Sequence, residues 1–200
     1  MRKLAALSLC LMTPAAVNAQ QAAKEGEGAQ PSAQASAQAS SSSSTSASSA
    51  SAQLRHVVGT WDVTTEFLRD DGSTAGSFEG TYAFQWVVPG KVVSGVTTMP
   101  AINQTAAMMF YHRPSTGEIE MVSVGQDGQL WVMTGSDTSE VRETPVVAMG
   151  DGSTITLRFT RFNVMADSFE SRMERSSDGG KTWLPGNHQL FRRAGVSDGK

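Results

Sequence analysis

Cysteine is almost missing from this chain of 200 residues: the single copy, Cys10, falls near the N-terminus. Once the leader described below is removed, no thiol nucleophile and no disulfide remain to staple a fold. Histidine is scarce too. His56, His112 and His188 are the three copies, and none stands in a His-x-His or His-Glu-x-x-His spacing, which argues against a dedicated metal site. There is no Gly-x-Ser-x-Gly elbow for a serine nucleophile, and Val93-Ser94-Gly95 reads instead as part of a strand. No apolar run approaches the roughly 20 residues that span a bilayer. Nor is there a basic excess. Without Arg2 and Lys3, 14 basic residues face 19 acidic ones, a formal charge of −5 that would not draw nucleic acid or an anionic membrane. Apolar residues recurring at i, i+3, i+4 and i+7 are lacking, so helices should be nearly absent.

What is present falls into blocks. Arg2 and Lys3, the apolar run Leu4 to Met12 and the small-x-small site Val17-Asn18-Ala19 make residues 1–19 a secretory signal peptide. The bulky Leu9 before Cys10 argues against a lipoprotein cysteine. Export to the periplasm or the medium follows, with no membrane insertion after cleavage. Residues 20–53 are nearly all Ala, Ser and Gln, and such side chains bury too little apolar area to fold alone. They are expected to form a disordered linker whose ends lie about 30–35 Å apart. Its role is open between a spacer and a neutral low-complexity expansion.

Residues 54–193 are an unbroken series of short apolar–polar alternations punctuated by tight-turn chemistry. Asp70-Asp71-Gly72, Pro89-Gly90, Gln126-Asp127-Gly128, Gly150-Asp151-Gly152 and Asp178-Gly179-Gly180 are examples. Strands are expected at 57–68, 75–88, 91–99, 105–112, 118–125, 129–135, 139–148, 154–162, 167–175 and 182–193. Leu54 to Val58 could form a short helical plug before the first strand, and 194–200 a flexible tail. Consecutive hairpins of this kind close most economically as an antiparallel up-and-down β-barrel of about ten strands; a β-sandwich would need longer crossovers. The fold class is all-β.

The second strand alternates most clearly, with Phe78, Gly80, Tyr82, Phe84, Trp86 and Val88 on one face. That face should point inward, as should Met108 and Phe110 on the fourth strand and Ile155, Leu157 and Phe159 on the eighth. Such an aromatic and methionine-rich interior either packs itself or leaves a cavity for a flat or oily ligand.

Gly59-Thr60-Trp61 at the first strand, Asp178-Gly179-Gly180-Lys181-Thr182-Trp183 in the last hairpin and Phe191-Arg192-Arg193 at the closing strand resemble a bacterial lipocalin-like family, domain of unknown function 1579. The resemblance spans residues 54–193. It implies a calycin-type barrel in which Arg192 or Arg193 covers the Trp61 ring, a cation–π closure of one end. It implies no activity. More distantly, the chain is similar to nitrobindin-like barrels, which hold haem through a histidine on the last strand; His188 stands in about that place. Pro185-Gly186-Asn187 just before it signals a turn or bulge that would leave the ring at the rim.

Two further patterns have modest readings. Ser176-Ser177-Asp178-Gly179-Gly180-Lys181-Thr182-Trp183 matches an Asp-box, and one copy in so short a chain reads as a structural hairpin. Glu118 and Glu120 share a strand face, where a solvated outer surface competes with acid–base work on sugars. The leading expectation is an exported, non-catalytic barrel for a small hydrophobic or aromatic molecule, with Tyr82, Phe84, Trp86, Met108 and Phe110 as wall and His188 as polar contact at the mouth. The alternatives are a ligand-free interaction module, as monomer or homodimer; a haem barrel with His188 as axial ligand; and a cofactor-independent enzyme built on Glu118, Glu120 and His112.

Overall fold

Period-two alternation between glycine-rich turns dictates hairpins, and the computed structural model of the chain is a succession of them. It describes residues 43–195, with side chains from residue 50 onward. The signal peptide, the linker up to residue 42 and the tail from residue 196 lie outside the described residues. A helix α1, Ser43–Val57, precedes β1 (Gly59–Leu68), β2 (Thr74–Val88), β3 (Val92–Met99), β4 (Gln104–Arg113), β5 (Glu118–Gly125), β6 (Leu130–Ser136), β7 (Val141–Glu143), β8 (Val147–Ala148), β9 (Thr154–Phe162), β10 (Ser168–Ser176) and β11 (Leu184–Arg193).

Every pairing is antiparallel, and the sheet closes on itself. β1 pairs with both β2 and β11, setting Trp61 opposite Tyr82 on one side and Arg193 on the other. β9 pairs with both β7 and β10. β8 continues β7 along the same edge of β9, so the ring counts ten strands. The expected single strand at 139–148 is therefore split. Pro145, which has no N–H to give a ladder, stands in the gap. Thr144 bridges it: its N–H donates to the Leu157 carbonyl, and its hydroxyl accepts from the Leu157 N–H, both at 2.9 Å.

The inward faces form the core. Trp61 and Val63 of β1, Tyr82 and Phe84 of β2, Val93, Ile119, Phe169 and Phe191 are all buried. Val88 departs from the expected inward row. A register shift between Trp86 and Val88 turns it outward, and it is 45 % exposed.

The helix is longer than the expected plug and begins inside the segment expected to be disordered linker. Ala50 and Leu54 are buried in the barrel core, and Val57 packs against it. These residues stand at i, i+4 and i+7, a face made of one small and two branched side chains. Short helices of Ser and Ala are marginal in water, so docking across the open end of the ring is what holds this one. Gln53 adds polar anchorage by donating to the Asp137 carbonyl at 2.8 Å.

Candidate functional site

Closing the ring and plugging one end leaves space between them. A cavity of about 220 Å³ lies in the lumen. That exceeds the ~150 Å³ that admits a benzene ring and falls short of the ~300 Å³ typical of drug-sized pockets, so it suits one ring or a short chain. Its floor is Gln53, Leu54 and Val57 of α1, and its walls include Phe84, Met108, Phe110, Ile119, Met121 and Phe159. Toward the hairpin end, away from the helix, it is bordered by Phe67, Met99, Gln104, Met173 and Asn187.

The lumen is not wholly apolar. Gln189 on β11 donates from Nε2 to Thr65 Oγ1 at 3.0 Å and to Tyr82 Oη at 2.8 Å. Ser171 donates back to Gln189 Oε1 at 3.2 Å. Burial holds the Tyr82 phenol above its ordinary range, so it stays protonated. Nearer the floor stand two arginines, Arg142 on β7 and Arg161 on β9. Arg161 forks onto Glu140, Nε to Oε2 at 2.8 Å and Nη2 to Oε1 at 3.0 Å. Arg142 donates from Nη2 to Gln53 Oε1 at 2.6 Å. Burial, and next the charge of Arg161, push the Arg142 guanidinium down to about 10, which leaves it charged at neutral pH.

Of the residues read from sequence as wall, Tyr82, Phe84, Met108 and Phe110 line the cavity. Trp86 does not. It shares their face but lies nearer the end of β2, where it packs against the core cluster. His188 is also misplaced by the sequence reading. Along β11 the inward side chains are Asn187, Gln189 and Phe191, so His188 points outward, opposite Glu66. There its Nε2 pairs with Glu170 Oε2 at 2.7 Å and its ring stacks on Phe162. The bulge expected at Pro185-Gly186-Asn187 is present, as a register shift against Met173 and Glu174. A haem in the lumen would not reach this imidazole, so the residues present do not fit that ligation.

Glu118, Glu120 and His112 do not form one constellation. Glu120 lies on the outer face, held by Arg113 Nη2 at 2.6 Å and by the Tyr111 hydroxyl, while Ile119 and Met121 face the lumen. His112 lies on the other face of the sheet and pairs with Asp137 at 3.0 Å. Among the described residues, no cluster of three or more His, Cys, Asp or Glu could hold a metal ion, and no helix is long and apolar enough to cross a membrane.

The plugged end is built around Trp61. The Arg193 guanidinium lies 4.0 Å from the ring centroid, and Arg192 falls on the opposite face of β11. Arg193 also donates to the carbonyls of Val58 at 2.7 Å and His56 at 3.1 Å, tying the last strand to the end of the helix. Gly59 is required here. Its φ is +122°, and a Cβ would occupy the space taken by the Arg193 guanidinium. In the last hairpin Asp178 accepts from the Lys181 and Thr182 amides and the Thr182 hydroxyl. The Thr182 bonds foremost hold its carboxyl well below the usual range. Trp183 packs under Arg158 at 4.0 Å, so the box is a structural turn.

Arg142, Arg161, Gln53 and Gln189 escaped the sequence reading. Arg161 could have been found, because it continues the row Leu157, Phe159. Arg142 sits in a strand of three residues, too short to show a face.

No family model and no curated protein matches the sequence. Among solved structures the chain is similar to the crystal structure of Rv2717c from M. tuberculosis, at 14% identity and a TM-score of 0.50, covering 72% of this chain and 96% of that one. That likeness shows the fold, a lipocalin-like antiparallel barrel. The structure of EF1p2_mFAP2b bound to DFHBI is a weaker match, at 15% identity and a TM-score of 0.38, covering 72% and 98%.

Proposed function

We propose that this barrel is an exported carrier or sensor that holds a small apolar or aromatic molecule in its lumen. The observation that carries the reading is the cavity of about 220 Å³, walled by aromatic and methionine side chains and floored by a docked helix. A lumen with no occupant would be expected to pack itself, because empty space forfeits dispersion contacts on every lining atom. Gln189, Tyr82 and Thr65 offer a few fixed polar contacts against an apolar background, the usual composition of a small-molecule site. Export rests on the leader at residues 1–19. Membership of the lipocalin-like family of unknown function rests on the Gly59-Thr60-Trp61, Asp178 to Trp183 and Phe191-Arg192-Arg193 motifs, two of which have clear structural duties at Trp61 and Asp178.

Native mass spectrometry of the protein recovered from its own host tests the reading. A discrete added mass is expected, and it should be lost in Ala106→Trp, where a large ring is placed in the cavity wall. A bare mass, together with no rise in melting temperature for any single-ring compound, would overturn it.

A further inference from the structure

Two residues that line the lumen keep a buried polar atom without a partner, Asn187 at Oδ1 and Arg142 at Nε, and only the second carries a charge. Arg142 is 5 % exposed and reaches the cavity from the short strand β7. Its neighbour Arg161 has a carboxylate, Glu140, on two guanidinium nitrogens. Among the described residues no carboxylate comes within ion-pair distance of Arg142; the Gln53 amide oxygen accepts from Nη2, and Nε has no hydrogen-bond partner at all. A buried guanidinium held by one neutral oxygen is costly, because the amide replaces little of the lost hydration. Burial and a second cation nearby both disfavour its charge. The backbone nevertheless makes room for it. Gly135 on β6 faces Val141 and Arg142 so closely that a Cβ there would collide with the Val141 carbonyl and crowd the arginine stem.

We propose that the lumen selects a hydrophobic carboxylic acid, whose carboxylate docks on Arg142 at the floor while its ring or short chain lies among Phe84, Met108, Phe110 and Met121. This rests on the lumen-binding reading above and narrows it from apolar molecules to apolar anions. A carboxylate meeting the part of the guanidinium that reaches the cavity can take N–H donors that Gln53 leaves unused, in a charge-assisted bond stronger than the one to the neutral amide. It would also neutralise the excess positive charge left after Glu140 has satisfied Arg161. The apolar walls begin immediately above, so head and tail each meet matching chemistry.

Hydrocinnamate and hydrocinnamyl alcohol differ only in the carboxylate and have the single ring and short chain that the cavity accommodates. Titration calorimetry of both against the wild type and Arg142→Met decides the matter. The wild type should bind the acid about tenfold or more tighter than the alcohol. Arg142→Met should lose that preference and keep the alcohol. Equal affinities in the wild type, or a preference that survives Arg142→Met, would overturn the carboxylate assignment and leave the lumen reading standing. Neither compound binding the wild type would overturn the carboxylate assignment, while the lumen reading falls only with a bare native mass and no melting-temperature rise for any single-ring compound. Should Arg142→Met not fold, Arg142→Lys serves: a point charge without the fork should shrink the acid-to-alcohol ratio, and an unchanged ratio rejects the proposal.

Discussion

Replacing Trp61 by alanine removes the piece on which three elements meet. The ring is fully buried and packs edge-on to Phe169 at 4.9 Å and to Phe191 at 6.4 Å. His56 lies beside it at 5.5 Å and Arg193 covers it at 4.0 Å, while its Nε1–H donates to the Val57 carbonyl at 2.9 Å. Losing a buried Trp to Ala costs about 3–5 kcal/mol through transfer and cavity terms together. The upper half of that range is expected here, since the cation–π contact and the bond to Val57 are lost with the ring. In a domain of this size that corresponds to a fall in melting temperature of roughly 10 °C or more. Chemical denaturation followed by far-UV circular dichroism reads the change without relying on the deleted fluorophore. Trp61→Phe keeps much of the stacking and forfeits the hydrogen bond, so it should lose less, about 1–2 kcal/mol. A Trp61→Ala loss below about 1 kcal/mol would refute the reasoning, because no fully buried keystone of that volume leaves so lightly.

Removing residues 43–53 should lower the melting temperature and admit an apolar dye to the lumen floor, because Ala50 and Gln53 dock there; an unchanged melting curve would mean the helix does not close the barrel. His56 supplies a pH dependence. Its Nε2–H donates to the Met165 carbonyl at 2.7 Å and Nδ1 faces Arg161, a neutral tautomer, and burial foremost lowers its pKa, with Arg161 and Arg193 adding to the effect and the Met165 bond and Glu140 opposing it. The unfolded chain therefore takes up the proton first, so stability should decline as pH falls from 6.5 toward the folded value. His56→Gln should flatten that part of the melting-temperature profile, and an unaltered slope would assign it elsewhere. Gly135→Ala should destabilise by about 1–3 kcal/mol, since the new methyl meets the Val141 carbonyl. A neutral result in the same denaturation assay would show that β6 and β7 do not approach so closely.

Nine of the ten expected strands were legible to within two residues, because β-alternation and Gly or Asp turns both act locally. The tenth was drawn through Pro145, where a missing N–H outweighs a run of valines. Helix α1 was underestimated for a different reason. Its buried face starts with Ala50, indistinguishable from the surrounding Ala and Ser until the barrel end that receives it exists. Alternation sets Tyr82, Phe84, Met108 and Phe110 on the inward face, and that face lines the cavity. For His188 the likeness to another barrel and its own row disagree, and the row, in which Asn187 and Gln189 face inward, decides its direction. Arg142 owes its place to tertiary pairing with Phe159 across β7 and β9, and no local pattern encodes that.

The pairing of β1 with β11 also sets an order of events. Trp61 and Arg193 lie at opposite ends of the domain sequence, and so do the Val58 carbonyl and the guanidinium that binds it. During synthesis the helix and the early hairpins emerge long before the strand that closes them. Until residue 193 arrives, β1 has a bare edge and Trp61 lacks its cover, so the interior is an open trough rather than a compartment. Closure must also meet the loop entropy of almost the whole domain in a single step, which places this barrel among slow, topology-limited folders. Anything held in the lumen at that moment is enclosed by the last strand to form, and β11 acts as the latch.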